Sequence, residues 1–167
     1  MTFTPVTDPT EALRAGFRLH ASGVSVITML TPDGKPAGFT ATSMTSLGTN
    51  PPLASFNVSQ GSSTFPTLKV GRFVAIHTLG ERNVPLAQRM AADHTQRFLP
   101  ADWHVGPYQV PVFPAATSIL IAKIRDIHAI ESNAVVVVDI LEGLSGAEDD
   151  ALLYYQRSYM KPGAKLS

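Results

Sequence analysis

Two long apolar runs set nearly end to end constrain this chain more than any other feature. Thr117 to Ile130 and Ala134 to Leu144 are rich in β-branched residues and are separated only by Glu131-Ser132-Asn133. So short a break lets two strands meet only as antiparallel neighbours, and the pair reads as a long hairpin. Shorter runs repeat the theme. Val24 to Leu30 is mostly apolar and β-branched, Thr31-Pro32-Asp33-Gly34-Lys35 carries the Asp-Gly turn signal, and a return strand runs from Pro36 to Thr42. Leu53 to Val58 alternates with period two, and Phe73 to Leu79 is a further strand. About six strands at hairpin spacing, with few helices, predict a mostly β chain closed into an antiparallel barrel rather than a doubly wound sheet.

Helices fill the gaps. Asp8-Pro9-Thr10-Glu11 starts one, with Asp8 as cap, Pro9 in the first turn and Glu11 at the capping-box position. It is expected to end near Ser22-Gly23 and, with Leu13, Phe17 and Ala21 four apart, to pack against the sheet. Phe65 to Lys69 suggests a short helix, and Val84 to Ala92 a longer one with Leu86 and Met90 on one face. Arg97 to Pro114 has no period and reads as an ordered loop; an acidic loop and an aromatic tail, Leu153 to Tyr159, close the chain.

Composition narrows the function classes. At 167 residues and 44% hydrophobic content the chain is expected to be one domain, residues 1–167, with a sizeable core. Lys+Arg and Asp+Glu are both 13, which argues against an electrostatic binder of nucleic acid. Without cysteine there is no disulfide, thiolate metal site or thiol nucleophile. His20, His77, His94, His104 and His128 are never four apart, and no Gly-x-Ser-x-Gly, P-loop or Gly-x-Gly-x-x-Gly motif occurs. No metal site and no acid–base or nucleophilic catalytic set is therefore expected. No apolar run is long enough to span a bilayer and no leader is visible, so the expectation is a cytoplasmic protein that does not enter membranes.

What stands out instead are two hydroxyl-rich stretches, each following a strand. Gly38-Phe39-Thr40-Ala41-Thr42-Ser43 continues to Ser46, and Ser59-Gln60-Gly61-Ser62-Ser63-Thr64 comes shortly after. Small side chains let the backbone approach a flat ligand, and hydroxyls with amides can hold a phosphate. Arg89 and Arg97 are candidates for charge-assisted contacts to the same group. Taken singly, the hydroxyls also suit strand ends and turns, and the arginines also suit a helix surface.

The order of these motifs resembles the flavin reductase-like, FMN-binding split-barrel family, the small NAD(P)H:flavin oxidoreductases that feed two-component monooxygenases. The matching residues are Phe17-Arg18, Ala21 to Thr28, Gly38 to Ser43, Pro51-Pro52-Leu53, Ser55-Phe56-Asn57, Ser62-Ser63, Leu86 to Ala91, Gln96-Arg97-Phe98, Pro111-Val112 and Leu152-Leu153-Tyr154. The resemblance implies a split β-barrel that binds FMN, or FAD, and reduces it with NADH or NADPH. It also implies a homodimer with flavin near the subunit interface, and a flavin-dependent monooxygenase as partner. Carried over by position, Thr40, Ala41, Thr42, Ser43 and Ser46 line the flavin, Asn57, Ser59, Ser62 and Ser63 form a second contacting loop, and Arg89 lies near the phosphate. Two positions depart from the pattern. Glu131-Ser132-Asn133 stands where members often carry Gly-Asp-His, and Tyr154-Tyr155 where they often carry Tyr-His. Both missing histidines would lie on the nicotinamide side, so a flavin carrier or sensor without turnover is the alternative; a split-barrel enzyme of pyridoxal phosphate or heme-derived ligands is a more distant one.

Overall fold

The computed structural model describes residues 3–166. In chain order these form α1 (Pro9–Arg18), β1 (Ser22–Gly23), β2 (Ser25–Leu30), β3 (Pro36–Ala41), β4 (Thr45–Thr49), β5 (Pro52–Ser59), β6 (Phe73–Thr78), α2 (Val84–Ala91), β7 (His104–Val105), β8 (Pro111–Val112), β9 (Ser118–Ile130), β10 (Asn133–Ser145), β11 (Leu153–Tyr155) and β12 (Ser158–Met160). Seven strands make one antiparallel sheet in the order β3-β2-β6-β9-β10-β5-β4. The β9–β10 hairpin is its spine, pairing from Asn133↔Ile130 to Ser145↔Ser118. Gly34, at φ 77, makes the left-handed turn of the β2–β3 hairpin, a conformation glycine adopts without strain. The expected loop from Arg97 to Pro114 is present, holding the two-residue strands β7 and β8 and a single 3-10 turn, Pro107–Gln109, between them.

The fold is mostly β with two α-helices, but the expected closure is not made by hydrogen bonds. Among the described residues β3 bonds only β2, and β4 bonds only β5, so the sheet keeps two edges. The chain leaves β3 at Ala41 and turns before β4, which ends the ladder there. A side chain spans the gap: the Asn57 N–H, on β5, donates to Ser43 Oγ at 2.9 Å.

Apolar alternation covers both faces of the sheet. Ile27, Met29, Phe39, Phe56, Val74, Ile76, Ile124, Val136 and Val138 meet on the inner face. Val24, Val26, Ala75, Leu79, Ile119 and Ile121 point outward and are capped by Leu86, Ala87 and Met90 of α2 and by Val110, Val112 and Phe113 of the long loop. His77 sits on this outer side, fully buried. The Phe113 N–H donates to its Nε2 at 3.0 Å, so that nitrogen carries no proton, and the proton on Nδ1 donates to the Val26 carbonyl at 3.0 Å. One imidazole thus pins the long loop to the sheet. Burial pulls its pKa down to about 4, against the opposing bond to Val26.

The first helix corrects an expectation. α1 starts as its sequence dictates, with Asp8 Oδ1 accepting from the Glu11 N–H at 2.8 Å, but it stops at Arg18 and buries none of its residues. Leu13 and Phe17 are 62% and 67% exposed rather than packed on the sheet. Periodicity correctly reports an apolar face; it does not say what covers it. Asp149 of the acidic loop is engaged: its carboxylate accepts from the Arg82 N–H at 2.9 Å, which with the Arg82 charge holds it below the usual carboxylate range.

Candidate functional site

Where the sheet splits, two clefts meet. The smaller, about 340 Å³, lies between the end of β3, the end of β5 and the C-terminus of α2. Thr40, Ala41, Thr42, Ser43, Asn57, Ser59 and Ser62 line it together with Met90, Ala91 and Arg97. Strands β3 and β5 lie far apart in the sheet order, and their ends are joined here by the Asn57–Ser43 bond, while α2 packs across β3. The Thr40 hydroxyl makes the second join directly, donating to the Ala87 carbonyl at 2.6 Å. That proton is therefore used in holding the helix, so the Thr40 hydroxyl can only accept from a ligand in the cleft.

The loop hydroxyls differ. Ser59 Oγ accepts from the Gly61 N–H at 3.2 Å and Ser62 Oγ from the Thr64 N–H at 3.3 Å, which leaves both O–H protons to donate outward. Arg97 supplies the cleft's guanidinium. It spends Nη1 on the Gly38 carbonyl at 2.7 Å and Nε and Nη2 on the Ala92 carbonyl at 3.1 and 2.8 Å, so it caps the end of α2 with donors to spare. Burial lowers its pKa, with Asp93 opposing, and a guanidinium stays protonated at neutral pH regardless. The arrangement is a surface of donors and one positive charge, suited to a phosphate or carbonyl oxygen.

Three expected site residues lie elsewhere. Arg89 does not reach the cleft: its Nη2 donates to both Asp102 oxygens at 2.9 and 2.8 Å and its Nε to the Arg97 carbonyl at 3.1 Å, with the guanidinium over the Phe113 ring. Ser46 is exposed on β4, beside an apolar groove that includes Leu120 and Ile140. Ser63 lines a different depression with Lys35 and His94.

The larger cleft, about 650 Å³, opens between α1, β1 and the β11–β12 turn. It shares Thr42, Ser43 and Asn57 with the first, so the two adjoin at these residues. Arg14, Arg18, His20, Tyr154, Gln156 and Arg157 line it, and no carboxylate does among the described residues. Neither Asn133 nor Tyr155 lines either cleft. Asn133 acts through its backbone, since Gln60 Nε2 donates to the carbonyls of Glu131 and Asn133 at 2.7 and 2.8 Å and so ties the serine loop to the long hairpin.

Sequence reasoning did not single out Arg14, Arg18, Gln156 or Arg157 as lining a site. Arg14 and Arg18 are four apart and share a helix face, a signal that was available. Arg157 becomes visible only once the terminal hairpin is in place. Among the described residues no cluster of three or more His, Asp or Glu could hold a metal ion.

Known proteins share this sequence pattern and fold. Residues 17–163 match the family model for the flavin reductase like domain. The chain is 36% identical over 155 residues to an NADH:FMN oxidoreductase of Rhodococcus qingshengii, spanning 89% of this chain and 80% of that protein. It is 26% identical over 150 residues to the reductase component of a flavin-dependent trigonelline monooxygenase of Acinetobacter baylyi, spanning 90% of this chain and 48% of the relative. The crystal structure of a flavin reductase domain protein from Arthrobacter sp. FB24 superposes with a TM-score of 0.88 at 38% identity, covering 93% of this chain and 97% of the other. The chain belongs to the flavin reductase-like domain family.

Proposed function

We propose that this protein is an NADH-dependent flavin reductase, with FMN in the smaller cleft and the nicotinamide donor arriving through the larger one. The observation that carries this is the junction at Thr42, Ser43 and Asn57, where a donor-rich cleft opens directly onto a second of substrate size. FMN fits the chain's own donors. Ser59, Ser62 and Arg97 suit its phosphate, and Ala41 and the Thr40 and Thr42 backbone allow the close approach a flat ring needs. Arg97 takes the place expected of Arg89, which instead orders the loop carrying Arg97 and Asp102. Bound flavin supplies the redox chemistry, accepting hydride from the nicotinamide. The protein's task is to orient the two rings and exclude water, which agrees with the lack of an acid–base pair at the junction among the described residues. The relatives named NADH:FMN oxidoreductase support NADH as donor and FMN as acceptor.

The sheet works as a split barrel, its seam bridged by the Ser43–Asn57 bond. The chain acts as one domain, because β1 pairs with β11 and so joins the two ends of the sequence. A second copy covers the apolar face of α1 and the wholly exposed strand β4, giving a homodimer. Light scattering then reports twice the 17.9 kDa of one chain; a monomer would refute it. The Acinetobacter relative supports a monooxygenase as the consumer of reduced flavin. A reaction that draws on NADH fits the cytoplasm, and no helix among the described residues is long and apolar enough to cross a membrane.

The test is loss of NADH absorbance with and without added FMN. Oxidation that depends on flavin supports a reductase. Flavin binding without turnover leaves a carrier, the outcome that Asn133 and Tyr155 in place of histidines would explain.

A further inference from the structure

The larger cleft is charged in a way the reductase assignment alone does not require. Arg14 and Arg18 rise from one face of α1, and Arg157 faces them from the tip of the β11–β12 hairpin. The walls are tied together, since the Gln156 N–H donates to the Arg18 carbonyl at 3.2 Å. Arg14 shares its charge with Glu11 at 2.7 Å, whereas Arg18 and Arg157 enter no ion pair among the described residues. The hairpin turn is itself unusual. Gln156 and Arg157 stand at φ 50 and 65, the left-handed conformation that a two-residue turn of this kind asks of glycine or asparagine. A side chain held there is strained, and it places a guanidinium at the cleft's lip.

We infer that Arg18 and Arg157, with Arg14, recognise the phosphates of the electron donor, and that the enzyme accepts the 2′-phosphorylated donor NADPH at least as well as NADH. This rests on the reductase assignment above. In doubly wound dinucleotide folds a carboxylate holds the ribose 2′-hydroxyl of NADH and an arginine accommodates the 2′-phosphate, and the same charge logic applies to a cleft of another fold. Here the lining offers three guanidinium groups and no carboxylate. The added phosphate meets attraction with no carboxylate in the lining itself, and arginine binds it through paired donors. All three arginines are exposed, so the preference weakens as salt rises.

The experiment is steady-state oxidation of NADH and NADPH at saturating FMN, by the wild type and by Arg18→Gln/Arg157→Gly. Glycine relieves the strained turn, so the variant keeps the fold, and circular dichroism checks it. The wild type is expected to show kcat/KM for NADPH equal to or above that for NADH. The double variant should lower that ratio roughly tenfold or more, through KM, as a lost charge-assisted contact implies. A wild type whose kcat/KM for NADPH falls below that for NADH overturns the inference, as does an unmoved ratio in the variant. If the variant instead loses FAD affinity while FMN affinity and the donor ratio stand, the arginines serve the flavin's adenylate and the inference is wrong. Calorimetry with adenosine 2′,5′-bisphosphate separates the two failures. Binding that the variant loses, in a protein without turnover, refutes the reductase assignment and upholds phosphate recognition; no binding refutes the recognition itself.

Discussion

Lowering the pH should loosen the attachment of the 97–114 loop through one residue, His77. Its ring is fully buried, with Nε2 accepting from the Phe113 N–H and Nδ1–H donating to Val26. A second proton would have to sit on Nε2, where it would face the Phe113 N–H with no acceptor. Burial is the main cause of its low pKa, about 4 against an ordinary 6.5. Below about 6.5 the unfolded chain takes up a proton at this position and the native state does not, so stability falls with pH; near 4 the native state protonates and the effect levels off. The interval between 4 and 6.5 corresponds to roughly 3 kcal/mol. Urea unfolding midpoints across this range, for the wild type and His77→Gln, measure it. The variant should be less stable at neutral pH by about 1–3 kcal/mol, from the bond one amide cannot replace, and should lose most of the acid slope. Superimposable pH profiles would refute the reasoning. Imidazole NMR of the wild type provides an independent check, since one of the five histidines should stay neutral well below pH 6.

Other perturbations test separate parts of the account. Arg97→Lys keeps the charge but loses the fork, so it should weaken FMN by about 1.5–3 kcal/mol while leaving riboflavin, which has no phosphate, nearly unchanged in a fluorescence titration. Equal losses for both ligands would show that Arg97 acts only by capping α2. Arg89→Ala should cost about 1 kcal/mol in thermal unfolding, since its side chain pairs with Asp102, and should weaken FMN far less than Arg97→Lys does, acting only through the loop it braces; an equal or larger loss of FMN affinity would return Arg89 to the phosphate. Gly38→Ala should destabilise by about 1–3 kcal/mol, because a Cβ there would stand 2.5 Å from the Ile27 carbonyl and 2.8 Å from Met90 Cε. A neutral effect in denaturant titration would mean that β3 and α2 can part at little cost.

The strands that pair through strong local signals were legible in advance. β9 and β10 announce themselves by length and β-branched content, and the β2–β3 hairpin by Asp33-Gly34. β11 and β12 were not, because their turn uses Gln156-Arg157, residues that resist the left-handed conformation and send no turn signal. β4 was missed for another reason: all five of its residues are exposed, so no burial pattern marks them. In the site, Thr40 to Ser43, Asn57, Ser59 and Ser62 converge because both hydroxyl-rich segments end strands on the same side of the split. Whether Arg89 or Arg97 turns inward depends on Asp102, thirteen residues beyond Arg89, and no local pattern reports that pairing. The apolar stripe of α1 was legible, but its expected packing on the sheet was not borne out, since no residue of the helix is buried.

Thr42 stands at the junction of the two clefts with its side chain exposed, so filling it tests the location of the chemistry most directly. The measurement is FMN binding by flavin fluorescence, with NADH oxidation alongside, in the wild type and Thr42→Trp. The account predicts a variant with a native circular dichroism spectrum that neither binds FMN nor oxidises NADH. Full flavin affinity in the folded variant would contradict it and place the flavin elsewhere on the molecule.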